Sequence, residues 1–311
     1  MGNPKNTSSK LTPSQKCKVL FHLGYPKTAS TWLQDNIFGF ESEKFICPWG
    51  ARAGHAIDHF VLTSGFVFDP QVVRSELQES ILQSMDSDRV VVISEETLIG
   101  DICAERYWGL ETIRRISLCF PNAKVMLCIR EQKKIIYSAY GEYIRGGGTQ
   151  TIRQFIETDK SRPGTGPVCR SDALLYDSVI SHLQKVFGED SVLVLPTELL
   201  ASDPKGFVQR LLAFLDLEGE VSPHESVAHV GLGAFTLAVA RFANQVRLSQ
   251  FKNWNFFLRV LDKVIPKSLN KVVELKNRSI VAEFVGDTFN ASNQKTSKLI
   301  SQDLSDFGYS I

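Results

Sequence analysis

The sequence predicts an α/β fold: a parallel sheet flanked by helices in three layers, with a helical C-terminal part. Three observations carry this reading. Short, unalternating apolar runs at residues 18–23, 89–94 and 124–129 have the character of strands buried on both faces. Each run is followed by a stretch with helical periodicity, and strands alternating with helices imply a parallel sheet with right-handed crossovers. From Asp203 onward the pattern is almost wholly helical.

Taken in order, residues 18–23 (KVLFHL) form a strand that ends at Gly24, and residues 30–38 form a helix. Residues 71–85 read as the next helix, and the β-branched run 89–94 (RVVVIS) as the second strand. A helix over 105–120 stops at Pro121-Asn122. The third strand, 124–129 (KVMLCI), leads into a helix over 131–145 ended by Gly146, Gly147 and Gly148. A helix over 172–187 precedes a strand at 191–195, and Pro223 and Pro266 break the helices that follow.

At 311 residues, with 43% apolar and 22% charged side chains, the chain has ordinary globular composition. No linker or repeat divides it, so the reading is a polar tail over 1–16 and one domain over 17–311, helical from about 203. A net charge of +1 supplies no basic field for nucleic acid. No signal-like apolar segment or run of eighteen apolar residues occurs, which predicts a cytoplasmic chain and leaves the sequons at Asn6, Asn277 and Asn290 to chance. The six cysteines, Cys17, Cys47, Cys103, Cys119, Cys128 and Cys169, have neither CxxC nor metal-ligand spacing, which fits a reducing compartment.

The most informative stretch is Gly24-Tyr25-Pro26-Lys27-Thr28-Ala29-Ser30-Thr31-Trp32. A strand empties into a tight loop, and a helix opens with two hydroxyl residues. Free N–H groups at such an opening favour an anion, and Lys27 adds a point charge. Lys27 stands three residues before the hydroxyls, whereas a nucleotide-triphosphate loop of the Walker type places Lys directly before them. A second basic centre follows the third strand. Arg130 ends it and Ser138 lies eight residues on, within a stretch from Lys124 to Arg153 that holds six basic residues and two acidic ones. Arg presents a planar, permanent fork for a phosphate, and Ser a further donor.

The loop resembles the 5′-phosphosulfate loop of the sulfotransferase superfamily, commonly Tyr-Pro-Lys-Ser-Gly-Thr-Thr-Trp, with departures at Ala29 and Ser30. Arg130 and Ser138 resemble that family's 3′-phosphate site, and Asn290-Ala-Ser-Asn293 with the tail to Tyr309 resembles its bacterial members. The resemblance implies a P-loop-like fold and sulfuryl transfer from 3′-phosphoadenosine 5′-phosphosulfate (PAPS) to a hydroxyl or amine, without a metal. It places Lys27 at the leaving group, Thr28, Ala29, Ser30 and Thr31 around the 5′-phosphate, Trp32 on the adenine, and Arg130 with Ser138 on the 3′-phosphate.

A hydroxyl acceptor requires a general base. His55, His59, Glu95 and Glu96 are the candidates. Glu95 and Glu96 read equally well as helix caps, and His55 as a loop histidine. His22, inside a strand, reads as core or as support behind the site. Glycan, lipid and small metabolite all stay open as acceptors. A phosphoryl transferase on the same scaffold and a non-catalytic nucleotide-binding protein are the competing classes. Residues 241–278 carry nine basic side chains, two acidic ones and interleaved aromatics. They form either a helical subdomain with a solvated basic face or a surface for an acidic glycan or a membrane.

Overall fold

The computed structural model describes residues 19–39, 42–87, 89–157, 166–221, 232–246 and 255–311, and the side chains of Asp86, Asn255, Phe256 and Phe257 are outside the description. The readings of the tail over 1–16, of Cys17 and Lys18, of Pro223, and of Phe251 and Trp254 fall outside these residues.

Five strands, β1 (Val19–Gly24), β2 (Phe45–Ile46), β3 (Val90–Ser94), β4 (Lys124–Ile129) and β5 (Val192–Pro196), pair in the order β2-β3-β1-β4-β5. Every neighbour is parallel. After β1 the chain runs to the sheet edge with β2, comes back beside β1 with β3, and crosses to the other side of β1 with β4. The switch point therefore lies between β1 and β4, where sheets of this kind hold their ligands at the carboxyl ends of the strands.

Between the strands run α1 (Ser30–Asn36), α2 (His55–Ile57), α3 (Pro70–Ser87), α4 (Gly109–Cys119), α5 (Gln132–Arg145), α6 (Ile152–Ile156) and α7 (Tyr176–Phe187). Every described element after β5 is helical: α8 (Thr197–Ser202), α9 (Pro204–Phe214), α10 (Ala234–Gln245), α11 (Asn255–Val264), α12 (Lys267–Val285) and α13 (Asn290–Leu299), then a final 3-10 turn. Alternate strand residues feed two cores. Phe21, Leu23, Val91, Ile93 and Leu127 bury against α4, α5 and α7 on one face. Leu20, Val92, Met126 and Cys128 bury against Leu33 and Phe38, and against Phe207 and Leu211 of α9, on the other. Removing one such Leu side chain typically costs ~2–5 kcal/mol.

Several boundaries differ from the sequence reading. The helix expected from residue 105 begins at Gly109, because Gly100, at φ 121°, turns the chain sharply and Asp101 bridges back to Arg106. A Cβ on Gly100 would stand 2.6 Å from the Arg106 carbonyl oxygen, so no larger residue closes this loop. The helix read over 172–187 is a 3-10 turn, Ser171–Leu174, followed by α7. The two-residue β2 and the short α6 gave too few residues for a periodic pattern. α6 is set by a capping box between Thr151 and Gln154.

Candidate active site

The loop after β1 is shaped from inside. Thr28 is buried, and its hydroxyl donates to the Tyr25 carbonyl at 2.6 Å. A Cβ at Gly24 would sit 3.0 Å from that hydroxyl oxygen, which explains the glycine. The Thr28 side chain thus closes the loop and does not line the cavity. Lys27 and Ala29 both adopt left-handed backbone, at φ 74° and 63°. Non-glycine residues pay ~1–2 kcal/mol there. Ala29 thus meets, without a glycine's freedom, a backbone conformation that glycine adopts at no steric cost. No side chain caps the N–H groups that open the seven-residue α1, and Ser30, Thr31 and Trp32 line the cavity before it.

Pairing Gly24 with Cys128 sets the loop after β1 beside the end of β4. Arg130 lies two residues further on, and its Nη1 donates to the Lys27 carbonyl at 2.9 Å. Its own carbonyl accepts from the Tyr176 hydroxyl at 2.6 Å. Glu131 caps α5 through the N–H groups of Lys133 and Lys134. Gln132 exchanges amide hydrogen bonds with Asn293 at 2.7 and 3.2 Å, and Asn293 also donates to the Ser310 carbonyl. The C-terminal segment therefore braces the junction that carries Arg130, which is a physical reason for the Asn290–Asn293 signature. Ser138 faces the same cavity as Arg130 and Lys27.

That cavity encloses about 1550 Å³. Two charged residues of α5 that the sequence reading did not single out reach Lys27 there. Lys27 Nζ donates to Glu142 Oε1 at 2.8 Å, and Arg145 pairs with the same oxygen. Glu142 lies four residues and Arg145 seven residues beyond Ser138, so all three share one side of α5. That spacing was the available signal. Burial, and then the neighbouring Arg145 and Arg130 cations, push the Lys27 ammonium below the usual lysine range, while the Glu96 carboxylate acts in the opposite sense. The Glu142 carboxylate therefore stands between two cations, Lys27 and Arg145.

The four candidate bases separate clearly. Glu95 is buried and fully engaged: Oε1 accepts from the Thr97 N–H and hydroxyl, and Oε2 from Arg52 Nε at 3.0 Å. It caps the 3-10 turn Glu96–Ile99 and does not line the cavity. Glu96 does line it, only 14% exposed, with Oε1 3.6 Å from Arg52 and Oε2 buried without a hydrogen-bond partner among the described residues. His55 is 71% exposed, pairs with Asp58 at 3.6 Å and is not brought to the cavity. His59 stacks on Trp49 and pairs with Glu76 at 2.9 Å, also away from it.

His22 belongs to the support behind the site. Its Nδ1 is 2.8 Å from the Ser94 hydroxyl, which Gln34 also contacts at 3.1 Å, and its Nε2 is buried without a partner among the described residues. Burial pushes its pKa down to about 4, against a smaller raising effect of Glu95. Between pH 6.5 and 4 the unfolded chain therefore binds the proton that the folded chain refuses. The contribution of His22 to stability is therefore full well above pH 6.5 and is expected to fall by roughly 3 kcal/mol on the way to pH 4. Melting curves across this range should slope less steeply in His22→Leu than in the parent; equal slopes would assign the acid sensitivity to other groups.

Among the described residues, no three His, Cys, Asp or Glu side chains cluster to hold a metal ion. The sequence matches no protein-family model and no curated protein. Among solved structures, it is similar to a sulfotransferase from Alicyclobacillus acidocaldarius, at TM-score 0.56 and 18% identity over 93% of this chain and 98% of that one. Looser likenesses are the sulfotransferase domain from the curacin biosynthetic pathway (TM-score 0.41, 14% identity, 67% and 76% covered) and mouse sulfotransferase SULT7A1 complexed with PAP (TM-score 0.33, 14% identity, 65% and 60% covered). The fold is therefore shared, over 93% of this chain, with a solved sulfotransferase: this protein has the sulfotransferase fold.

Proposed function

We propose that this chain transfers a sulfuryl group from PAPS to an acceptor hydroxyl or amine and releases adenosine 3′,5′-bisphosphate. One observation carries the reading: Lys27 and Arg130, 103 residues apart, are joined by a hydrogen bond at adjacent strand ends and share a cavity with Ser30, Thr31 and Ser138. Two separated cationic centres suit a nucleotide with phosphate at both 5′ and 3′ positions. A single small ligand typically fills ~300–1,000 Å³, so a cavity of about 1550 Å³ has room for donor and acceptor together.

In this reading Ser30 and Thr31 hold the 5′-phosphate and Trp32 borders the adenine. Arg130 and Ser138 bind the 3′-phosphate, and Lys27 leaves Glu142 for the leaving group. Glu96 is the base. Its unpartnered Oε2 takes the acceptor's proton as the acceptor oxygen bonds to sulfur and the bond from sulfur to the 5′-phosphate oxygen breaks. Charge gathering on that oxygen is met by Lys27, an interaction stronger in the transition state than before it.

Thermal melting with adenosine 3′,5′-bisphosphate, compared with ATP plus Mg²⁺, tests the reading. Selective stabilisation by the bisphosphate, followed by label transfer from sulfur-labelled PAPS to an extract of acceptors, is the expected result. Preference for ATP plus Mg²⁺ would favour a phosphoryl transferase, and bisphosphate binding without transfer a non-catalytic nucleotide-binding protein.

A further inference from the structure

α11 and α12 meet at Ile265-Pro266, and together they present an unusual outer face. On α11, Val260 and Val264 lie one turn apart and are exposed, Val264 by 76%. On α12, Leu269, Val272 and Leu275 recur at every third residue along ~9 Å of one side, and all three are exposed, Val272 by 64%. Lys263, Lys267, Lys271 and Lys276 are exposed beside these apolar residues. Among the described residues none of the four is ion-paired.

The acids of the same segment already have partners. Asp262 accepts from the Gly233 N–H and the Thr236 hydroxyl. Glu274 pairs with Arg278, whose guanidinium lies over the Tyr137 ring. The opposite side of α12 is committed to packing against α5, α6 and α10. The outer face thus combines apolar side chains with four lysines that have no ion-pair partner among the described residues, while the acids of α12, Glu274 and Glu283, are each paired with an arginine. Such a combination matches an anionic lipid interface, where lysine stems bury while their ammonium groups reach phosphate and valine or leucine enters the acyl boundary. A second copy meeting this face about a twofold axis would set lysine against lysine. An acidic polysaccharide would use the lysines and leave five apolar side chains in water.

We propose that the α11–α12 face docks this protein on an anionic membrane surface, with Lys263, Lys267 and Lys271 at the headgroups and Val264, Leu269 and Val272 inserted below them. The charge of Arg145, which lines the cavity, is disfavoured first by burial and then by the Arg259 cation of α11. The inference stands independently of the sulfuryl-transfer reading.

Co-sedimentation of the full chain with phosphatidylcholine vesicles, with and without ~30% phosphatidylserine, tests it. Binding is expected only to the anionic vesicles, falling at least tenfold between ~50 and ~300 mM salt. Two combined variants should each lose binding by tenfold or more: Lys263→Glu with Lys267→Glu and Lys271→Glu, and Val264→Ser with Val272→Ser. The melting shift with adenosine 3′,5′-bisphosphate, unchanged in a folded variant, separates failure here from failure of the donor reading. No binding to anionic vesicles at low salt overturns the proposal. So does full vesicle binding by the Val264→Ser, Val272→Ser variant, which would mark a site for acidic polymers. Self-association abolished by that variant, with no vesicle binding by the parent, would assign the face to a second copy.

Discussion

Lys27→Ala is expected to lower turnover by ~10²- to 10³-fold, equivalent to ~2.7–4 kcal/mol of transition-state stabilisation. Affinity for adenosine 3′,5′-bisphosphate should fall much less. The asymmetry follows from where the charge develops: the bridging oxygen becomes anionic only as its bond to sulfur breaks. Lys27 has a carboxylate partner in Glu142 at 2.8 Å, with which an anion bound at Lys27 must compete. Glu142→Gln should accordingly tighten bisphosphate binding a few-fold while transfer continues. Single-turnover kinetics with saturating PAPS would separate chemistry from binding. Near-parental turnover in a folded Lys27→Ala protein would remove Lys27 from the chemistry.

Arg130→Ala is expected to weaken binding of the 3′-phosphorylated nucleotide by ~10- to 100-fold, the range for a hydrogen bond to a charged group at ~1.5–3 kcal/mol. Its hydrogen bond to the Lys27 carbonyl complicates the experiment, because truncation also loosens the loop around Lys27. The informative quantity is therefore a ratio, measured by calorimetry with adenosine 3′,5′-bisphosphate and with adenosine 5′-phosphosulfate. Loss of a 3′-phosphate contact affects only the first ligand; loss of loop support affects both. Equal losses would show that Arg130 serves the loop alone. Arg130→Lys should recover part of the charge but not the fork that reaches the Lys27 carbonyl.

Much of this architecture was legible because its signals are local. β4 was read to the residue, since a buried central strand is an uninterrupted apolar run, and the following helix was read to its last residue at Arg145. The loop over residues 24–32 was legible for the same reason: strand, turn and helix opening are all written within nine positions. The start of α4 was not, because residues 105–108 have helical composition but are held by the Asp101–Arg106 bridge, a contact between chain segments that periodicity does not register.

The site divides along the same line. Amino-acid order by itself determined the parallel α/β class and singled out Lys27 in the loop after β1 and Arg130 with Ser138 after β4. Tertiary structure alone decided how they combine. The β1–β4 pairing brings Lys27 and Arg130 into hydrogen-bond contact, and the packing of α5 sets Glu142 against Lys27. The choice among adjacent carboxylates was likewise beyond the sequence. Glu95 and Glu96 are neighbours of one type, yet the backbone after β3 turns the first inward to cap a turn and the second into the cavity. His55, attractive as an isolated histidine, ends on the surface because α2 presents it to solvent beside Asp58. A residue's type sets what chemistry it can perform; the direction of its side chain, fixed by contacts distant in the chain, sets whether it meets a substrate.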